Sequence, residues 1–264
     1  MTLKHHALFA AVLAATLTGS AQANVVSLSN ISAEWYDGNP AANVSYINNP
    51  SSTTASARWG IPSGGSGQSG YDFTIAAQPI DFIVPPSPSP QQQIGMFTHI
   101  NFPIASGTSI TGIKLRLSAD ISVNGNALGS RMFDYGFDHW ETPNGDSPCA
   151  DGGTVGVGVD VNGCADRVIA NWLSSSDDFA VGTDIYTVNV IGFSLDPSGS
   201  DPFTSFWTAE SADNHAFLLA NVALRRDVEP IPEPGTLALL GVGLMGLVKG
   251  RKARRNGVAT NARA

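Results

Sequence analysis

The sequence predicts an all-β protein, an antiparallel β-sandwich or jelly roll, on three observations. Ile113, Leu115, Leu117, Ala119, Ile121 and Val123 alternate with Lys114, Arg116, Ser118, Asp120 and Ser122, the period of a half-buried strand. Turn signals such as Asn124-Gly125, Asn144-Gly145 and Asn162-Gly163 punctuate the chain. No strand-helix-strand rhythm of a parallel sheet is present. With 264 residues, 42% of them hydrophobic and 14% charged, the chain can bury one large core.

Strands are expected, in order, over residues 29–35, 70–75, 94–102, 113–123, 132–137, 155–161, 184–195 and 216–225. The segment 155–161 qualifies because Val155, Val157, Val159 and Val161 alternate with small or polar residues. Residues 184–195 are apolar on both faces, as a central strand should be. Residues 168–173 read as one short helix. The proline-rich stretch from Val84 to Pro90 has no self-sufficient core before it, so it reads as a surface loop within one domain. Cys149 and Cys164 are the only cysteines, and in an exported protein an even pair is expected to form a disulfide.

Both ends read as addresses. Residues 1–23 combine Lys4, an apolar run of about eleven residues and a small-x-small site at Ala21-Gln22-Ala23, the pattern of a secretory signal peptide. Such a run reaches only about half of the roughly 30 Å hydrocarbon core, which excludes a spanning anchor. Export through the Sec translocon and cleavage by signal peptidase before Asn24 follow as expectations. At the other end Pro232-Glu233-Pro234 precedes an apolar helix over 236–248, a basic cluster over 249–255 and a cytoplasmic tail over 256–264. The Gly241-Val242-Gly243-Leu244-Met245-Gly246 run matches a dinucleotide fingerprint in letters only, because strand, amphipathic helix and acidic partner are missing.

The three-part tail over 229–255 resembles the PEP-CTERM sorting signal of Gram-negative bacteria. The resemblance implies recognition by an exosortase, transient inner-membrane anchoring, and delivery to the cell surface or extracellular matrix. Phe97-Thr98-His99-Ile100-Asn101-Phe102-Pro103-Ile104 resembles the signature of the THxN family of PEP-CTERM proteins, with Thr98, His99 and Asn101 as its marks. Trp59-Gly60-Ile61-Pro62, Glu141-Thr142-Pro143-Asn144 and the run from Asn162 to Val168 extend that likeness through the ectodomain, residues 24–228. The family brings no catalytic residues to carry over.

Residues 24–231 hold seven Lys or Arg against 21 Asp or Glu, so this part carries a formal charge of −14 while the whole chain carries −8. That balance argues against a nucleic-acid partner. On strand geometry His99 and Asn101 share a face with Phe97. There they either hydrogen-bond loop backbone and lock the strand, or hold a metal or a sugar hydroxyl. The acidic stretch with Asp134, Asp138, His139, Glu141, Asp146 and Asp151 offers Asp138, Glu141, Asp146 and Asp151 as Ca²⁺ ligands, although no EF-hand spacing is present. Asp138 and Glu141 are also the first suspects for a glycosidase pair, and Trp59, Trp140 and Trp207 are either core or sugar-stacking residues. Gly67-Gln68-Ser69-Gly70-Tyr71 fails as a nucleophile elbow, and zincin and P-loop motifs are absent. The expected role is therefore a non-catalytic surface protein associated with exopolysaccharide or biofilm matrix, without cofactor unless Ca²⁺ binds. A secreted carbohydrate-active enzyme and a purely structural coat protein are the alternatives.

Overall fold

The computed structural model describes residues 23–226 apart from 64, 66, 175, 200 and 201. Thirteen strands form in this stretch: β1 (Asn24–Asn39), β2 (Val44–Ile47), β3 (Thr54–Trp59), β4 (Ser69–Ile75), β5 (Ile80–Val84), β6 (Gln92–Asn101), β7 (Gly112–Val123), β8 (Asn126–Trp140), β9 (Asp166–Ser174), β10 (Ser176–Val181), β11 (Asp184–Ser194), β12 (Ser205–Thr208) and β13 (Ala212–Arg226). One sheet has the order β12-β9-β8-β7-β1-β5 and the other β10-β11-β13-β6-β4-β3-β2. Neighbouring strands pair antiparallel throughout, for example Leu115 opposite Tyr135 and His99 opposite Tyr71. The expected β-sandwich is what the chain forms.

The alternation of β7 is the driving pattern. Its burial runs strictly inward and outward, from Ile113 to Val123. Between the sheets lies an aromatic core in which Trp35 and Phe137 of the first sheet meet Tyr71, Phe97 and Phe193 of the second. Phe97 stacks on Phe137 with ring centroids 5.3 Å apart, and the Trp35 indole N–H donates to the Ala55 carbonyl at 3.1 Å. Each such ring buries roughly 150–250 Å². The Asn124-Gly125 hairpin closes as read, with both residues at positive φ (50° and 79°), the geometry of a type I′ turn.

Two expectations fail. Residues 155–161 form no strand: Gly156 and Gly158 take φ of +94° and +61°, and Val155, Val157 and Val161 are exposed, so the valines line a loop rather than a core. Residues 168–173 are not a helix but part of β9, with Val168 and Ala170 buried on the inward face. The proline-rich loop docks on β13, where Val222 N–H donates to Ser89 Oγ and Leu224 N–H to Ser87 Oγ. The disulfide forms between Cys149 and Cys164. The signal peptide over 1–22, Pro232-Glu233-Pro234, the helix over 236–248, the basic cluster and the tail lie outside the described residues. Among the described residues no helix is long and apolar enough to cross a membrane.

Candidate functional site

Strand ends gather at one end of the sandwich. β6 brings His99 and Asn101, β8 brings His139 and, just after it, Glu141, β9 opens with Asp166, and β12 closes with Thr208 shortly before Glu210. His99, Asn101, Asp166, Thr208 and Glu210 are fully buried. The inward position of Phe97, His99 and Asn101 follows from the period-two pleat, while Thr98 on the other face bonds His215 Nδ1 at 2.9 Å.

The hydrogen bonds fix the imidazole tautomers. Thr208 Oγ1 donates its single proton to the Asp166 carbonyl at 3.1 Å. It therefore accepts from His99 Nδ1–H at 2.8 Å, which leaves the lone pair of a neutral His99 on Nε2, and that atom has no hydrogen-bond partner. His139 is used at both nitrogens: Nε2 faces Glu141 Oε2 at 3.3 Å and Nδ1 faces the Tyr71 hydroxyl at 2.8 Å. Burial, then the neighbouring His139, holds His99 well below the ordinary imidazole range.

Three carboxyls converge here. Oxygens of Glu141, Asp166 and Glu210 lie within 4.8 Å of one another, as do ligand atoms of His99, His139 and Asp166. Asp166 Oδ1 accepts from Thr142 N–H at 2.7 Å, whereas Asp166 Oδ2, both Glu210 oxygens and Asn101 Oδ1 make no hydrogen bond of good geometry. Burial, then the Glu141 charge, pushes Asp166 up to about 9. The same two causes push Glu210 up to about 7, against the pull of the Asn101 and Asn144 amides nearby. Among the described residues no lysine or arginine pairs with any of the three. Glu141 and Asn144 also line a surface cleft of about 280 Å³, so Glu141 borders both the cluster and the surface.

Of the four Ca²⁺ candidates, only Glu141 joins this cluster. Asp138 faces outward and accepts from Asn171 Nδ2 at 2.7 Å. Asp151 accepts from the Gly153 N–H inside the disulfide loop, and Asp146 turns its carbonyl toward Cys164 Sγ in the same loop. The structure therefore does not bring the four together, and Asp138 and Glu141 serve different surroundings. Asp166 and Glu210 escaped selection from the sequence, since they come from segments far from residues 134–151. The one signal for Asp166 was its place in the Asn162–Val168 stretch.

The tryptophans divide. Trp59 is core, against Tyr71 and His99. Trp140 is 49% exposed on the outer face of the first sheet. Its register partner there is Arg167, which in turn pairs with Trp207. The Trp140 and Trp207 rings stand 5.9 Å apart, and the Arg167 guanidinium lies 5.7 Å from the Trp207 ring.

Residues 230–255 match the family model for the PEP-CTERM protein-sorting motif. The chain carries a PEP-CTERM sorting motif. No curated protein sequence matches the chain. The match covers the same segment that reads as apolar helix plus basic cluster, and the motif makes this an exported protein, processed by exosortase and sorted to the cell surface through a C-terminal anchor.

Proposed function

We propose that this protein is a non-catalytic surface protein that holds exopolysaccharide of the biofilm matrix on the outer face of its first sheet. The observation that carries the reading is the row Trp140–Arg167–Trp207 across β8, β9 and β12. The exposed Trp140 indole and the half-buried Trp207 beside it can stack on the apolar faces of sugar rings, and a cation and amides beside them bond hydroxyls. The Asp138–Asn171 pair supplies such polar groups on the same face, next to a shallow depression of about 540 Å³. The likeness of the Thr98-His99-Ile100-Asn101 stretch to THxN proteins, and export through Sec and signal peptidase, belong to this same reading. An acidic pair for glycoside hydrolysis finds no support, because Asp138 is tied to Asn171 outside and Glu141 to Ser109 and His139 inside.

The test is a glycan array and a reducing-sugar assay on the surface protein, with Trp140→Ala and Trp207→Ala beside the parent. Loss of a stacked indole should weaken binding by about tenfold, with no sugar released by any variant. Turnover of a polysaccharide, or binding unchanged in both variants, contradicts the proposal.

A further inference from the structure

We infer that the buried cluster at the end of the sandwich is a binding site for one first-row divalent transition-metal cation, held by His99 Nε2, Asn101 Oδ1, Asp166, Glu210 and Glu141. The site is separate from the outer tryptophan row and does not depend on it.

Four features point to a cation. His99 Nε2 carries a buried lone pair with no donor before it, while its other nitrogen is oriented by Thr208, the arrangement by which proteins present imidazole to metals. Three carboxyls come within 4.8 Å of one another without a pairing lysine or arginine among the described residues, a grouping that repels itself when ionised unless an opposite charge joins it. Protonation of a carboxyl relieves the repulsion but leaves His99 Nε2 and Asn101 Oδ1 without a hydrogen-bond partner. Finally, Glu141 spans from the cluster to the surface cleft and so provides a way in.

The donor set selects among ions. An imidazole beside carboxylates suits Zn²⁺, Mn²⁺ or Fe²⁺, whereas Ca²⁺ and Mg²⁺ take oxygen alone. Ligands on opposite sides of such an ion, at bonds of about 2.1 Å, stand about 4.2 Å apart, close to the 4.8 Å spread within each of the two groups, His99–His139–Asp166 and Glu141–Asp166–Glu210, that share Asp166. Asn101 Nδ2 donates to the Thr208 carbonyl at 3.2 Å, and its buried Oδ1 has no hydrogen-bond partner.

The experiment uses the mature protein released from the cell surface and purified without chelator. Its metal content by mass spectrometry should be about one transition-metal ion per chain. After stripping with EDTA, its melting temperature should rise on adding Mn²⁺ or Zn²⁺. Glu210→Gln keeps the shape and removes one repelling charge, so its metal-free melt should match or exceed the parent's while the ion-dependent rise is lost. With Mn²⁺ bound, pulsed electron paramagnetic resonance should detect an imidazole nitrogen in the parent that is missing in His99→Gln. A melt unmoved by Mn²⁺, Zn²⁺, Ca²⁺ or Mg²⁺ overturns the proposal, as does an ion-dependent rise that survives Glu210→Gln. A response to Ca²⁺ or Mg²⁺ alone overturns the assignment of His99 as a ligand.

Discussion

At Gly95 in β6, the space a Cβ would fill is taken by the buried Phe73 ring and the Thr74 carbonyl. Overpacking of this kind costs about 1–3 kcal/mol, so Gly95→Ala should lower the unfolding free energy from urea titration by that amount, and an unchanged value would show that the ring has room to move. On the outer face, Arg116 grips its cross-strand partner Asp134 with two bonds, at 2.8 and 3.1 Å. The guanidinium holds the Asp134 carboxyl below its ordinary range. A depressed carboxyl stabilises the fold above its unfolded value near 4 and loses that contribution as pH falls. Both side chains are partly exposed, so Arg116→Gln should cost only about 0.5–1 kcal/mol at pH 7. Urea titrations should find the gap to the parent closing below about pH 4; a gap that is constant with pH would locate the effect in packing. Residues like His99 and Asn101 were legible as a shared inward face because the pleat alone decides it. Their partners were not, since Thr208 and Glu210 lie more than a hundred residues along the chain and nothing local marks them.

Among elements, the disulfide loop has the most to do with the cluster. Cys149 and Cys164 close a loop of 15 residues in sequence separation, a constraint worth about 3 kcal/mol in the chain-entropy model. Thr142 Oγ1 donates to the Cys164 and Ala165 carbonyls, directly before Asp166. The paired mutant Cys149→Ala/Cys164→Ala should therefore melt roughly 5–10 °C lower, measured by differential scanning calorimetry; a melt equal to the parent's would mean that the loop's own hydrogen bonds suffice. This loop is also where reading by pattern went astray, because four alternating valines imitate a strand while Gly156 and Gly158 turn the backbone. β9 was misread for the opposite reason: its two inward positions, Val168 and Ala170, are too few to distinguish period two from a helical turn. β2, β3, β5, β10 and β12 are not legible because each is six residues or shorter, and the Thr54-Ala55-Ser56-Ala57 run of β3 is small and polar enough to pass for a loop. β4, β6, β7, β11 and β13 were legible since each is long enough or strongly enough patterned for burial to dominate.

For the whole molecule, the two sheets explain how the described residues of an acidic exported chain hold together: one aromatic core joins the sheets, and the charged residues lie mostly outside it. The carboxyls drawn inward are the exception, and they sit together at one end of the sandwich. The overall class and the sorting tail were legible because periodicity and the order Pro-Glu-Pro, apolar run, basic cluster are both carried by contiguous residues. The central claim is that this sandwich is delivered to the surface by exosortase, and the mass of the mature protein recovered from the cell surface tests it most directly. A chain that begins at Asn24 and ends near Pro232-Glu233-Pro234 is the predicted result. Recovery there of intact Met1, or of peptides from residues 240–264, would contradict it.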